Sequence, residues 1–355
     1  MINDEVLRVL QHYLKWAVIP AAIYSLYKFF SFLIPGPHHH PKLTFKDKTV
    51  LITGASSGLG RALAFELYKK GSKLILTARS IDKLKELCEE LKQSFSGNPH
   101  EPVYSYLDVC EPMDVESLKD YAIDGKTIDV LINNAGLSSR GSVEDTPIKV
   151  YKQLMDVNFF GHIVVTQKLI DAIPDDGCII ATSSIQGKLS VPYRSAYSAS
   201  KHAFKAFFDA LRCESRPNLH ILTVSPGYLN TGFGMRALDT KGQPVGKEDA
   251  NQLKGMSPEA AAREILRAAT AREIELDMVP LSNKIAICNY RGYVKLNRSQ
   301  FDKDLQELRR GLEKKLLGKT DSVIPDADEM SSFLRENAWL LSGFAAGWLI
   351  GFGLA

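Results

Sequence analysis

Short runs of aliphatic and β-branched residues recur along the chain. Between them lie longer stretches whose apolar residues fall three or four positions apart. The short runs predict strands at Thr49–Thr53, Lys73–Thr77, Val103–Leu107, Asp129–Ile132, Cys178–Ala181, His220–Val224 and Ile274–Val279. The spacing predicts a helix over Arg61–Lys70 and a charged amphipathic one from Ile81 to near Phe95. Strands separated by helix-length segments form a parallel sheet wrapped on both faces, with ligands at the carboxyl ends of the strands. No internal repeat interrupts this order. The expected architecture is therefore α/β, a doubly wound parallel sheet in a single domain over residues 46–285.

Both ends of the chain depart from this alternation. Trp16–Ile34 is apolar except for Lys28, close to the roughly twenty residues needed to cross a bilayer. This predicts an N-terminal membrane anchor and linker over residues 1–40. The other readings are an apolar helix docked on the protein and a cleaved signal peptide. Ala338–Ala355 is uncharged, and Gly343, Gly347 and Gly351 lay a smooth strip along one helical face. It reads as a C-terminal apolar helix, either inserted in a membrane or covering an apolar opening on the same molecule. Between them, residues 286–320 read as a basic amphipathic helix. Its stripe is Phe301, Leu305, Leu308, Leu312 and Leu316, which packs on the domain or lies on an anionic membrane surface. Residues 321–337 read as a linker. His38–His40 stand between prolines and cannot readily converge on one ion, so no metal site is expected.

Composition narrows the function classes. The 355 residues carry 44 Lys and Arg against 41 Asp and Glu, a net charge of +3. That balance argues against a protein whose main task is to grip nucleic acid. At 45% hydrophobic and 24% charged, the chain is an ordinary folded globule. Its five cysteines are scattered without a CxxC pair, which excludes a disulfide framework or a cysteine-rich zinc module.

The chemistry begins directly after the first strand, at Thr53-Gly54-Ala55-Ser56-Ser57-Gly58-Leu59-Gly60. Glycines after a strand and before a helix let the backbone turn tightly and approach a pyrophosphate, whose charge sits at the helix N-terminus. This loop makes the expected sheet Rossmann-type. The second strand leads into Thr77-Ala78-Arg79-Ser80. A free ribose 2′-hydroxyl is usually met there by a carboxylate, whereas a 2′-phosphate needs a cation. Arg79 therefore favours NADP(H) over NAD(H), a solvated surface arginine being the other reading. Further on stand Asn133-Asn134-Ala135-Gly136, Asn158 and the run from Ser183-Ser184 to Tyr197-Ser-Ala-Ser-Lys201. Tyr197 and Lys201 are one helical turn apart and share a face. A tyrosine with a pKa of about 10 is a poor base at neutral pH, and an adjacent ammonium and an oxidised nicotinamide favour its anion. Ser184, at a strand end, can hold a carbonyl oxygen by its hydroxyl.

These residues resemble the motifs of the short-chain dehydrogenase/reductase superfamily. TGASSGLG, NNAG, SS…YSASK and Pro226-Gly227-Tyr-Leu-Asn-Thr231 match in order, over residues 46 to about 280. The resemblance implies that Asn158 orders a water in a proton relay and Ser184 positions the substrate oxygen. Tyr197 would exchange its proton, and Lys201 would bind the nicotinamide ribose and lower the tyrosine pKa. It further implies that Gly54, Ser56, Ser57, Gly58, Leu59 and Gly60 cradle the phosphates. Asp108 would meet the adenine, Asn134 the ribose side, and Gly227 and Thr231 the nicotinamide end. Many NADP(H) members carry a basic residue where Ser57 stands, so phosphate recognition falls on Arg79. Thr77–Ser80 and the N-terminus are similar to the 11β-hydroxysteroid dehydrogenase neighbourhood. PGYLNTGF…GKED…MSPEAAAREILRAA is similar to the dehydrogenase/reductase member 7 group.

The expected activity is interconversion of a carbonyl and a hydroxyl on a small apolar substrate (steroid, retinoid or other lipid) with NADP(H). The alternative is a catalytically silent, cofactor-binding membrane protein that regulates a partner. Residues 228–256, rich in glycine and mixed in polarity, are expected to form a lid over the substrate. The expected location is a membrane, that of the endoplasmic reticulum by family resemblance. The sequon at Asn297 would be glycosylated only on a lumenal side. A homodimer is left open.

Overall fold

The computed structural model describes residues 22–27, 29, 41–121, 127–214, 216, 218–247 and 249–279. Contacts divide the chain into two units, Ser31–Val279 and the remainder (Met1–Phe30 with Pro280–Ala355). The first unit holds every element named below.

Seven strands form one parallel sheet: β1 Thr49–Thr53, β2 Lys73–Ala78, β3 Val103–Tyr106, β4 Val130–Asn133, β5 Cys178–Thr182, β6 His220–Pro226 and β7 Glu275–Met278. Their order across the sheet is β3-β2-β1-β4-β5-β6-β7, with Leu51 opposite Ile75 on one side and Leu131 on the other. The order reverses between β1 and β4, the switch point where a crevice opens at the carboxyl ends. All seven expected strands form, within a few residues of their predicted bounds.

The pleat divides the core into two layers. Val50 and Ile52 point to one face, with Leu63, Leu67, Leu222, Val224 and Ile265, while Leu51 points to the other, with Leu131, Ile179, Ile221, Phe204 and Phe208. Because both faces are covered, β4, β5 and β6 are buried along their whole length, which explains their unbroken apolar runs.

The helices are α1 Gly58–Lys69, α2 Ile81–Ser94, α3 Pro112–Ser117, α4 Ile148–Met155, α5 Gly161–Leu169, α6 Ser195–Arg212, α7 Ala250–Leu253 and α8 Pro258–Thr270. Helix α1 starts three residues earlier than its apolar spacing suggested, because its first turn is part of the glycine loop. Helix α8 packs beside α1 and opens with Ser257, whose hydroxyl accepts from the Ala260 N–H, and with Pro258 in the first turn. Between α4 and α5 the chain makes a π turn, Asp156–Phe160. Periodicity did not anticipate it. An inserted residue of this kind often marks a functional position, and here it carries Asn158.

Among the described residues, no helix is long and apolar enough to cross a membrane. Of the predicted N-terminal anchor, residues 22–27 and 29 are described and helical, with Ile23, Leu26 and Phe29 exposed. The predicted helices at 286–320 and 338–355 lie outside the described residues.

Candidate active site

A cavity of about 480 Å³ opens at the carboxyl ends of β1 to β6. Its nucleotide half is built by Thr53, the last residue of β1. The Thr53 hydroxyl donates to the Ile132 carbonyl (3.3 Å) and accepts from the backbone N–H groups of Asn134 (2.9 Å) and Ala135 (3.1 Å). The Asn134 side-chain amide donates to the carbonyls of Thr53 (3.1 Å) and Gly54 (3.3 Å). Asn134 lines the cavity while its Nδ2 holds the glycine loop from behind.

Two glycines are required by space. Gly54 has a φ of 67°, and a side chain there would also meet Ala135 at 2.9 Å. At Gly60 a Cβ would lie 2.3 Å from the Gly54 carbonyl oxygen and 2.6 Å from Asn134 Nδ2. Gly60 thus stands behind the loop and lets it close, while Gly54, Ser56, Ser57, Gly58 and Leu59 line the cavity. Ser57 makes no capping bond to the first turn of α1. The N–H groups of that turn carry the positive end of the helix dipole and suit an anion.

At the far end of this half, Arg79 is 69% exposed at the side chain, with Nη1 3.7 Å from Asp108 Oδ2. Lys83, near the start of α2, lines the same end. The sequence reading missed Lys83. Its signal is its place in the first turn of the helix that follows Arg79.

The catalytic half is formed by the end of β5, the segment after it and α6. Tyr197 is 6% exposed and lines the cavity together with Ser184, whose hydroxyl lowers the phenol's pKa. Ser184 also caps the short 3₁₀ turn Ile185–Gly187 by accepting from the Gln186 N–H (3.1 Å). Lys201, one turn beyond Tyr197, is buried. Its Nζ donates to the Thr182 carbonyl (2.9 Å) and sits 4.8 Å above the Phe204 ring. Both side chains line the same cavity, as their spacing predicted.

Burial controls the protonation of this pair. It pushes the Tyr197 phenol above its ordinary value, against the Ser184 hydrogen bond and the Arg194 charge. It pushes the Lys201 amine down to about 7. Desolvation is the largest of these influences on the phenol.

Asn158 is wholly buried and does not line the cavity. Its Nδ2 donates to the Leu137 carbonyl (2.8 Å) and to Ser200 Oγ (2.9 Å), and its Oδ1 accepts from the Leu137 N–H (2.8 Å). In this arrangement it staples the loop after β4 to α6, with both amide hydrogens committed.

His162 was also missed. It is buried, its Nε2 is 2.7 Å from the Ala135 carbonyl and its Nδ1 is 3.1 Å from Asn133 Oδ1. Burial and the Lys201 charge push its pKa down to about 3, so it acts as a neutral strut. A lone histidine in an apolar helix gives no signal of this in sequence.

Residues 228–256 cover the site. Leu229, Phe233, Leu238 and Pro244 give the cavity an apolar wall near Tyr197, interrupted by Gln153, Arg236 and Gln252. The Leu238 N–H donates to the Ser138 carbonyl (2.8 Å), and the Arg140 N–H donates to the Leu238 carbonyl (2.7 Å). Thr231 packs on the glycine loop, and the Gly227 N–H is tied to the Met278 carbonyl of β7 (3.1 Å). Gly227 and Thr231 line the cavity where the two halves meet. Among the described residues, no cluster of metal-ligating side chains occurs.

A sequence model described as short chain dehydrogenase matches residues 48–242. One described as FUN14 family matches residues 284–352 and runs across the boundaries drawn above at 320 and 338. Dehydrogenase/reductase SDR family member 7B of Xenopus tropicalis is 39% identical over 287 residues, covering 77% of this chain and 90% of its own. The mouse protein of the same name is 38% identical over 250 residues, covering 67% of this chain and 76% of its own. Among solved structures, an alcohol dehydrogenase of Thermococcus sibiricus complexed with 5-hydroxy-NADP is 25% identical. It superimposes with a TM-score of 0.55 over 65% of this chain and 94% of that one. L-sorbose reductase of Gluconobacter frateurii, complexed with NADPH and L-sorbose, is 22% identical and shares the fold, with a TM-score of 0.58 over 67% of this chain and 97% of that one.

Proposed function

Because the chain belongs to the short-chain dehydrogenase/reductase family, we propose that it is an NADP(H)-dependent oxidoreductase interconverting a carbonyl and a hydroxyl on an apolar substrate. The observation that carries this reading is one cavity with the α1 N-terminus at one end and the buried Tyr197–Ser184 pair at the other. The residues present fit a dinucleotide. Gly54–Leu59 would hold the phosphates, Arg79 and Lys83 a 2′-phosphate, and Lys201 with Thr231 the nicotinamide end. The cofactor, when bound, supplies or removes the hydride.

The protein's own residues handle the oxygen and the proton. Ser184 and Tyr197 place two hydroxyls on the substrate oxygen, which fixes the carbonyl for attack. The Tyr197 phenol, held neutral by burial, is then the acid that gives its proton to that oxygen during reduction. Lys201 is set to about 7, so it takes or loses a proton near neutral pH beside the tyrosine. Asn158 keeps Leu137 and α6 in register. By the family resemblance, Asn158 would also order a water in the relay that reprotonates this pair. The apolar wall of Leu229, Phe233 and Leu238 suits a steroid, retinoid or other lipid body. Exposed Ile23, Leu26 and Phe29, in the N-terminal apolar stretch, support membrane attachment, and the family resemblance points to the endoplasmic reticulum as its site. Carbonate extraction and glycosidase treatment test that attachment and its side.

The full chain, mixed with NADPH and a panel of retinal, steroid ketones and long-chain acyl ketones, should oxidise NADPH with saturation by at least one member. Tight NADPH binding with no turnover across the panel would instead support the silent, partner-regulating reading.

A further inference from the structure

Three residues from separate segments meet at the N-terminus of α6, the helix that carries Tyr197, and the reaction outlined above uses none of them. Arg140 lies in the loop after β4, Arg194 is the N-cap of α6, and Asp249 is the N-cap of α7 in the covering segment. Arg140 Nη2 and Arg194 Nη2 both reach the same oxygen, Asp249 Oδ2, at 3.3 and 3.2 Å. The three side chains are only 23%, 15% and 16% exposed. Arg194 Nη1 also reaches Ser138 Oγ and the Ser139 carbonyl (3.5 and 3.4 Å), whereas Arg140 Nε is buried with no partner.

Helix stability does not explain this arrangement. A cation at a helix N-terminus opposes the helix dipole, and two guanidiniums sharing one carboxylate leave a positive charge half-buried. The residue before Arg194 is also strained. Tyr193 has a φ of 61°, rare for a bulky side chain, and its carbonyl is fixed by the Gly141 N–H (3.1 Å). Arg194 immediately precedes α6, and its carbonyl accepts from the N–H of Ser198 (2.8 Å), the residue next to Tyr197.

We infer that Arg194 is a positioning residue for Tyr197, and that Asp249, bound by Arg194 and Arg140 together, is the latch by which the covering segment 228–256 sets the charge around the tyrosine. The inference rests on the reading of Tyr197 as the acid of the reaction. With the latch made, Asp249 offsets one of the two guanidiniums. With it broken, the charge of Arg194 is no longer offset. Arg194 is the cation that lowers the Tyr197 pKa, behind desolvation and Ser184 in size. The other ionisable groups around the phenol are Lys201 on α6, Tyr151 on α4 (through Ser195, 2.6 Å), and Tyr228 and Arg236 on the covering segment. None of these changes between the variants below.

The test uses two substitutions of opposite charge effect in the full chain. Asp249→Asn removes the negative charge, so the phenolate is favoured and the alkaline limb of carbonyl reduction should move to lower pH. Arg194→Gln removes the positive charge, so the limb should move to higher pH. Each shift should be about half a pH unit to one unit. Arg194→Lys keeps the charge and should restore the limb. Together with Asp249→Asn, it carries the test if Arg194→Gln fails to fold. The same shifts are read without turnover from the tyrosinate absorbance of each protein minus that of its Tyr197→Phe counterpart. Opposite shifts in absorbance without NADPH-dependent turnover would uphold the latch and sink the catalytic reading. Turnover with limbs that stay in place, or that move in the same direction for both variants, would overturn the latch.

Discussion

The two halves of the cavity are specified in different ways. The nucleotide half is a matter of backbone: Gly54 turns, Gly60 makes room, Thr53 ties β1 to β4, and the first turn of α1 presents its N–H groups. Exposed cations at Arg79 and Lys83 finish it. The catalytic half is a matter of buried ionisable side chains, Tyr197, Lys201 and Arg194, none of which has its ordinary proton affinity. The first half can be written as residue types at fixed spacing. The second exists only once several elements have closed around those groups and removed water.

Tyr197→Phe is the sharpest way to separate the halves. It should lower NADPH-dependent turnover by about 10²–10⁴-fold, the usual range for loss of a positioned acid. The NADPH dissociation constant, measured by fluorescence titration, should stay within a factor of about three. Near wild-type turnover would remove the tyrosine from the chemistry.

Lys201→Met probes the same half through stability. The folded-state pKa of Lys201 lies below its unfolded value, so burial of its charge destabilises the protein fully below about pH 7. That penalty fades as pH rises toward the unfolded value. At pH 6 the methionine variant should be more stable than wild type by roughly 2–4 kcal/mol, and the gap should close by about pH 10. Chemical denaturation at the two pH values measures it. A variant less stable than wild type at pH 6 would show that the bond to Thr182 outweighs desolvation.

In the nucleotide half, Gly60→Val forces a side chain against the Gly54 carbonyl and should destabilise by about 1–3 kcal/mol. It should weaken NADPH binding even though Gly60 does not line the cavity. Unchanged affinity would mean that the loop does not need that support. The smallest effect is expected at the exposed rim. Arg79→Asp should raise the NADPH dissociation constant by about tenfold and leave that for NADH nearly unchanged, because only the 2′-phosphate is lost as a partner. Equal changes for both would assign the phosphate to Lys83.

The legibility of the sequence follows the same division. All seven strands and the loop glycines could be placed because periodicity and glycine spacing are local properties of the chain. Asn134 and Asn158 were legible as members of a constellation but not as struts, since their hydrogen-bond partners are Thr53, Leu137 and Ser200 from other segments. His162, Lys83 and the Arg140–Asp249–Arg194 cluster left little trace, because none has a motif and their meeting depends on the sheet order. The π turn at Asp156–Phe160 was invisible for a related reason: one inserted residue barely disturbs helical spacing yet turns Asn158 inward.

The sequence by itself determined the doubly wound sheet, the glycine loop that opens α1, and the shared face of Tyr197 and Lys201. Each follows from residue spacing along one element. The tertiary structure alone decided which charges surround the phenol, that burial pushes its pKa up, and that Asp249 joins the covering segment to the N-cap of α6. Those are properties of solvent exclusion and of distances between segments far apart in the chain.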